Sequence, residues 1–198
     1  MTLFKKKYRI ESTRLKGWDY SSAGMYFVTI CTRNRECLFG DVVNGEMHLS
    51  RIGEIVAEEW QNTPQVRPYV ELDEWIVMPN HIHGIIVITD AVETFRRNVS
   101  ITQTFRRNVS ITQTFHRNVS TTNPSRLKPR SIGSIIGQIK SICTKRISGE
   151  DFKGFNWQER FWDEIIWNER TLNAIRTYII NNPANWDKDK DNPAGLRM

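Results

Sequence analysis

Two histidines separated by one residue, His81 and His83, constrain the fold of this chain more than any other feature. They begin an apolar run at 81–88, and a second β-forming run at 69–78 precedes them. The residues at 79–80, Pro-Asn, separate the two runs, so we expect an antiparallel hairpin with the histidines just after its turn. Side chains alternate across a strand, so both imidazoles project from one face and can converge on one cation.

The chemistry of this pair has two interpretations. Imidazole is a versatile metal ligand, and two of them leave coordination positions open for a substrate oxygen. Two hydrogen-bonded structural histidines on a half-buried strand would give the same pattern. The motif by itself leaves both interpretations open, so other residues must decide between them.

The positive charge of the chain is concentrated in one segment. The 198 residues carry a formal net charge of +6 at pH 7. Residues 94–149 contain eleven Lys and Arg and no Asp or Glu, so the remainder sums to minus five. Such a segment attracts polyanions, of which nucleic acid is the usual one. The alternative is a solvated basic loop without a partner.

A tandem repeat opens that segment. The decapeptide at 95–104 recurs unchanged at 105–114 and imperfectly from residue 115. Its period is shorter than that of the common solenoid repeats, so local duplication explains it better than a repeat architecture. We interpret 93–130 as a basic loop insertion in a single domain that spans 1–198. We expect the function to survive without the insertion.

The composition predicts a cytoplasmic protein without a membrane partner. No apolar run approaches the ~20 residues that span a bilayer. The basic N-terminus is not followed by the apolar stretch of a signal peptide. Three cysteines without CxxC spacing indicate neither a disulfide framework nor a zinc ribbon.

The order of predicted elements indicates an α+β domain built on an antiparallel sheet. A β-rich run at 24–32 predicts a central strand, and Ser50 predicts the N-cap of an amphipathic helix ending near residue 63. An isoleucine stripe at 132–147 predicts a second helix. A last helix at 169–181 should end before Pro183.

The last helix carries Tyr178, which lies on or beside its apolar face. A tyrosine in that position usually belongs to the core. Asn182 follows four residues later and is therefore a neighbour of Tyr178 on the helix surface. An amide oxygen beside a phenol could share a metal or a substrate.

Four motifs in this order give the chain a resemblance to a known family. They are Met78–Gly84 (MPNHIHG), Ile132–Ser141 (IGSIIGQIKS), Trp157–Asp163 (WQERFWD) and Tyr178–Pro183 (YIINNP). Together they resemble the REP-associated tyrosine transposases, which belong with the Y1 transposases in the HUH endonuclease superfamily. The resemblance covers about residues 15–196. The tandem repeat departs from it, because this connection is usually shorter in the family.

The resemblance implies a ferredoxin-like antiparallel sheet with helices packed on it, which is the HUH endonuclease fold. It implies a metal-dependent single-stranded DNA endonuclease and strand transferase that cleaves hairpin repeat DNA through a 5′-phosphotyrosine. His81 and His83 would bind the metal, Tyr178 would be the nucleophile, and Asn182 would help to hold the metal. Imidazoles alone favour zinc, whereas the resemblance implies Mg²⁺ or Mn²⁺.

Two other functions remain open, as does the oligomeric state. The chain could be an inactive DNA-binding protein that regulates repeat DNA, or a metal-dependent nuclease in which water attacks. The active site could be completed in a monomer or across a homodimer.

Contacts to DNA are expected from basic and aromatic side chains. The basic candidates for DNA binding are Lys5, Lys6, Lys7, Arg14, Lys16, Arg130, Lys140, Lys145 and Arg146. The aromatic candidates for stacking on unpaired bases are Trp18, Trp157, Phe161, Trp162 and Trp167. We expect most of these aromatics in the core and one or two of them at most on DNA.

Overall fold

The computed structural model describes residues 14–90, 128–150, 152 and 154–193, together with the backbone of two short strands, β1 (Leu3–Phe4) and β2 (Lys7–Tyr8). Lys5, Lys6 and the tandem repeat lie outside the described residues. The other elements are β3 (Gly24–Cys31), β4 (Gly40–Val43), β5 (Glu46–Leu49), α1 (Arg51–Gln61), α2 (Thr63–Val66), β6 (Val70–Met78), β7 (His81–Ile88), α3 (Ile132–Gly149), β8 (Trp162–Ile166) and α4 (Glu169–Asn181). A 3-10 turn, Pro183–Lys188, follows α4.

The main sheet has four antiparallel strands in the spatial order β6-β7-β3-β8. Helix α1 connects the first strand of this sheet to the second, and α3 connects the third to the fourth. This is the βαββαβ arrangement of ferredoxin-like folds. The predicted α+β class and ferredoxin-like sheet are confirmed.

The two faces of this sheet carry different layers. On the face that we call the core face, Tyr26, Val28 and Ile82 pack with apolar residues of α1 and α3. On the opposite face, which we call the histidine face, Phe27 and Ile85 pack with apolar residues of α4. Alternation along β7 therefore places Ile82 in the main core and His83 on the other side of the strand.

Side chains at the helix ends explain where the helices begin. Ser50 caps α1 by accepting a hydrogen bond from Gly53 N at 3.2 Å. Ser131 caps α3 in the same way through Ser134 N at 3.3 Å, and Asn168 caps α4. Each oxygen accepts from an amide that has no partner within the helix. The predicted N-cap at Ser50 and the predicted bounds of the last helix are confirmed.

Close packing fixes the position of α1 against β7. A Cβ atom added at Gly84 would lie 2.3 Å from Cζ2 of Trp60, whose side chain is fully buried. The glycine lets the indole of α1 lie directly on the strand, one residue after His83. No helix among the described residues is both long enough and apolar enough to cross a membrane.

Candidate active site

Strand register places both histidines beside the centre of the sheet. In β3, Thr29 pairs with His83 and Cys31 pairs with His81. The hydroxyl of Thr29 lies 2.9 Å from Nδ1 of His83, and the two imidazole centroids are 4.3 Å apart. The predicted convergence of the two side chains on one face of the hairpin is confirmed.

Asn80 determines which nitrogen of His81 can bind a cation. The amide nitrogen of Asn80 donates to the carbonyl oxygens of Arg35, at 3.0 Å, and Asp191, at 2.7 Å. These two acceptors orient the amide so that its oxygen faces Nδ1 of His81 at 2.8 Å. The oxygen can only accept, so Nδ1 carries the proton and Nε2 keeps its lone pair. Nε2 of His81 is buried and has no hydrogen-bond partner in the structure.

Burial keeps both imidazoles neutral. It lowers the pKa of His81 to about 3, with smaller contributions from the positive charges of Arg35 and Lys190. It lowers the pKa of His83 to about 2, with His81 as the next cause. A neutral imidazole is the form that ligates a metal, so burial favours the protonation state that a metal would require.

Tyr178 on α4 reaches the histidine pair. Its hydroxyl lies 3.1 Å from Nε2 of His83, and its ring packs edge-on against His83 and Phe27. The side chain is 42% exposed, so the expectation that such a tyrosine belongs to the core is wrong. Burial and the negative charge of Asp189 raise the pKa of Tyr178, while a hydrogen bond with Asn182 opposes the rise.

An ion pair between α4 and the sheet positions the tyrosine. Both Nε and Nη2 of Arg176 donate to the carboxylate of Asp73 in β6, at 2.7 and 2.5 Å. The carboxylate is almost fully buried, and a two-pronged pair of this kind fixes orientation as well as distance. Arg176 is two residues before Tyr178, so the contact fixes the helix close to the phenol.

Asp191 completes a group that could hold a metal. Its carboxylate and one nitrogen from each of His81 and His83 all lie within 4.8 Å of one another, and all three residues are buried. The carboxylate also forms an ion pair with Arg35. No sequence pattern predicted this residue, because it lies beyond the last helix in the loop that follows the 3-10 turn.

The donor atoms at this site fit a divalent cation. Two neutral imidazoles and a carboxylate are donors that several divalent metals accept. Nε2 of His81 and Oδ1 of Asn182 are both buried atoms without a hydrogen-bond partner, which is the condition expected of ligands awaiting a cation. Asn182 is 2% exposed and begins the turn after α4, and its amide nitrogen donates to Asp189 at 3.2 Å.

Three of the predicted DNA-binding cations have partners within the protein. Arg14 pairs with Asp163, and Arg146 pairs with Glu58 and Glu59. Lys140 donates to two backbone carbonyls, and burial lowers its pKa to about 8. The charged groups of these three side chains therefore already form ion pairs or hydrogen bonds within the protein.

The other predicted cations with described side chains are Lys16, Lys145 and Arg130. Lys16 and Lys145 are exposed. Arg130 donates to the carbonyl of Thr89 at 3.3 Å and lies over the ring of Tyr69. Helix α3, with Lys140, Lys145 and Arg146, packs on the core face and not on the histidine face. The structure describes the backbone of Lys7 alone, and the role of all these residues in DNA binding stays a prediction.

The predicted stacking aromatics divide into packed and exposed side chains. Trp18, Trp157 and Phe161 pack against the main core. Trp162 is 51% exposed and Trp167 is 55% exposed. Trp162 and Trp167 are therefore the most exposed of the five predicted stacking residues.

Two comparisons with known proteins place the chain. No family model matches it. An uncharacterised protein of Haemophilus influenzae is 36% identical over 184 residues, which cover 90% of this chain and 91% of that protein. A solved REP-associated tyrosine transposase, bound to a REP hairpin, has a TM-score of 0.55 at 19% identity and covers 92% of this chain and 77% of its own. The chain therefore belongs to one family with the Haemophilus influenzae protein, and its fold is that of a REP-associated tyrosine transposase.

Proposed function

We propose that this protein is a metal-dependent single-stranded DNA endonuclease and strand transferase that cleaves hairpin repeat DNA through Tyr178. The observation that carries the proposal is the 3.1 Å approach of the Tyr178 hydroxyl to Nε2 of His83, a residue of the group that could hold a metal. The candidate nucleophile, which is 42% exposed, meets the buried candidate cation site there. The solved transposase of the same fold is bound to a REP hairpin, which supports hairpin DNA as the partner.

In the proposed reaction Tyr178 attacks a phosphodiester of the DNA. The phenolic oxygen forms a bond to phosphorus, the bond to the 3′ oxygen breaks, and the DNA 3′ of the cut stays on the enzyme as a 5′-phosphotyrosine. The phenolic proton passes to solvent, and the departing 3′ oxygen takes a proton from solvent. The new ester conserves the energy of the broken one, so a 3′-hydroxyl can reverse the step and join strands without ATP.

The raised pKa of Tyr178 means that the barrier must be lowered by the surrounding site. His81, His83 and Asp191 would hold a Mg²⁺ or Mn²⁺ ion, with Asn182 as the further ligand that the family resemblance implies. When bound, the ion would supply positive charge that stabilises the transition state at the scissile phosphate. Asn80 and Thr29 orient the two imidazoles, and the Arg176–Asp73 pair holds the tyrosine.

The proposed site is complete in one chain, because His83 and Tyr178 of the same molecule are in contact. We therefore propose catalysis within a monomer, whether or not the protein also dimerises. Chromosomal DNA as substrate would place the protein in the bacterial cytoplasm.

A covalent-adduct assay tests the function. Hairpin oligonucleotides from the DNA flanking this gene, labelled at the 5′ or 3′ end, are incubated with Mg²⁺ or Mn²⁺ and separated on a denaturing gel. We expect the wild type to form an adduct that carries only the 3′ label. The variants Tyr178→Phe and His81→Ala should form none. A Gln61→Ala variant, altered at an exposed position of α1 on the opposite layer, serves as the control and should retain the adduct.

Two other outcomes would replace the proposal with another function. Cleavage retained by Tyr178→Phe would identify a nuclease in which water attacks. Binding of the hairpin without adduct or cleavage by any of the proteins would identify an inactive DNA-binding protein.

A further inference from the structure

Trp162 lies in register with the candidate active site. Thr29 in β3 pairs with His83 on one side and with Trp162 on the other, so the three residues form one row across the sheet. The register of β8 is regular from Trp162 to Ile166, and Ile166 packs on the histidine face. Alternation along the strand therefore projects the indole of Trp162 from that same face.

The edge of the sheet at Trp162 is open. Strand β8 is an edge strand of the main sheet, and the side chain of Trp162 is 51% exposed. Glu164, two residues further along the same face, is also exposed, so α4 does not cover this edge. Neighbouring strands lie ~4.8 Å apart, which puts the backbone of Trp162 ~10 Å from that of His83. This is about the reach of one nucleotide.

We propose that Trp162 stacks on an unpaired base of the nucleotide next to the scissile phosphate. This inference rests on the proposed function and adds to it a base-binding subsite. If His81 and His83 lie beside the scissile phosphate, the base of the adjoining nucleotide can reach Trp162 across the row His83–Thr29–Trp162. Aromatic side chains bind unpaired bases without sequence preference, because every base has a π face.

The charge beside Trp162 favours a base over the DNA backbone. The carboxylate of Glu164 projects from the same face and would repel a phosphate placed along this edge. A base is uncharged and tolerates that neighbour. The strand would therefore turn its base toward β8 and keep its backbone toward the histidines.

Trp167 provides a matched control. It is as exposed as Trp162, at 55%, and follows the last residue of the same strand. Its ring meets Trp18 edge-on at 4.9 Å, and Trp18 packs against the core of the opposite face. Loss of Trp167 removes a similar indole from the same strand without touching the histidine face.

The test measures DNA binding together with metal binding. Fluorescein-labelled hairpin oligonucleotides with single-stranded flanks are titrated with the wild type, Trp162→Ala, Trp162→Phe and Trp167→Ala, with fluorescence anisotropy as the readout. Each unpaired nucleotide of the flank is then replaced in turn by an abasic one. Binding of Mn²⁺ alone and sedimentation velocity are measured for the same four proteins.

We expect Trp162→Ala to weaken DNA binding about 5- to 150-fold and Trp162→Phe to weaken it less. Trp167→Ala should stay within about twofold of the wild type, and Mn²⁺ binding should be unchanged in all of them. One abasic position should weaken binding by the wild type but not by Trp162→Ala, because the partner of that base is already gone.

Three results would overturn the inference. The first is equal DNA binding by Trp162→Ala and the wild type. The second is that every abasic position weakens DNA binding by Trp162→Ala as much as it weakens binding by the wild type. The third is a wild-type dimer that Trp162→Ala converts to monomers, which would assign the indole to a protein interface. In each case a Tyr178-dependent adduct would leave the proposed function standing, whereas its absence from the wild type would remove that function separately.

Discussion

The amide oxygen of Asn80 lies 2.8 Å from Nδ1 of His81, while the amide nitrogen of the same side chain bonds to the carbonyls of Arg35 and Asp191. One buried amide thus orients the candidate metal ligand His81 and joins two loops. Asn80 is fully buried, so no water replaces any of these three contacts.

Substitutions of Asn80 should distinguish its contact with His81 from its hydrogen bonds to the two carbonyls. Asn80→Ala removes the acceptor for Nδ1–H of His81, and we expect about 10- to 100-fold weaker Mn²⁺ binding. In Asn80→Asp a carboxylate still accepts from Nδ1–H, so Mn²⁺ affinity should be closer to that of the wild type. Both variants lose the donors to the two carbonyls and should unfold more easily by about 1–3 kcal/mol.

Titration calorimetry with Mn²⁺ and urea unfolding, carried out on the same preparations, give the two quantities. Nitrogen-15 NMR of the imidazoles reports the tautomer of His81 directly. Equal Mn²⁺ affinity in the Ala and Asp variants would contradict the role assigned to the amide oxygen.

The stability of the metal-free protein should depend on pH through the two buried histidines. The pKa of each is lowered by folding, from about 6.5 in an unfolded chain to about 3 for His81 and about 2 for His83. Between these values the unfolded chain binds more protons, so the free energy of unfolding falls as the pH falls below 6.5. Each histidine contributes a slope of at most about 1.4 kcal/mol per pH unit.

Urea unfolding in EDTA between pH 7 and pH 5 measures this slope. His83→Asn should flatten it relative to the wild type, whereas His48→Asn, which alters an exposed histidine of β5, should leave it unchanged. A slope that is the same in all three proteins would show that His83 is not held neutral by burial.

Gly84 should not tolerate a side chain. In Gly84→Ala the new Cβ would lie 2.3 Å from Cζ2 of Trp60, and the fully buried indole would have to shift to relieve the clash. We expect a loss of about 1–3 kcal/mol in the free energy of unfolding. Gly149→Ala is the control, because nothing lies within 4 Å of the Cβ at that position and the change should be small.

Thermal unfolding of the two variants and the wild type, followed by circular dichroism, measures the difference. Similar midpoints for Gly84→Ala and Gly149→Ala would mean that α1 can shift away from β7 at little cost.

Deletion of the two identical decapeptides, 95–104 and 105–114, should leave both stability and chemistry intact. The connection that contains them leaves the sheet after Thr89 and returns at Arg130, and these two residues are joined by a hydrogen bond of 3.3 Å. The cost of closing a loop changes by only about 0.6 kcal/mol for each doubling of its length. We expect the free energy of unfolding to change by less than about 1 kcal/mol.

The same adduct assay and urea unfolding, applied to the deletion variant, check this expectation. Loss of the adduct with retained stability would assign the basic repeat to DNA binding.

Local sequence patterns were enough to predict most of the fold and part of the candidate site. Alternation around His81 and His83, and the capping residues Ser50 and Asn168, depend on neighbouring positions, so a single sequence displays them. The position of Asn80 next to His81 is visible in the sequence. Its hydrogen bonds to Arg35 and Asp191 are not, because these residues are far away in the chain.

The sequence carries no signal for Asp191 and cannot single out Trp162 among the five aromatic candidates, for a physical reason. Each reaches the site through tertiary structure: Asp191 through a loop fixed by Asn80, and Trp162 through the pairing of β8 with β3. Arg14 and Arg146 likewise form ion pairs within the protein that no linear pattern reveals.

The hydrogen bond between Arg130 and Thr89 also bears on how this gene can change over time. It clamps both ends of the variable connection at the end of β7 that is distant from His81, seven residues or ~23 Å along the strand. Replication slippage could add or remove whole decapeptide units in frame between these two residues, and we expect the proposed catalysis to be unaffected. Related strains should therefore carry different numbers of copies above an unchanged active site, and the copy number would record descent without recording function.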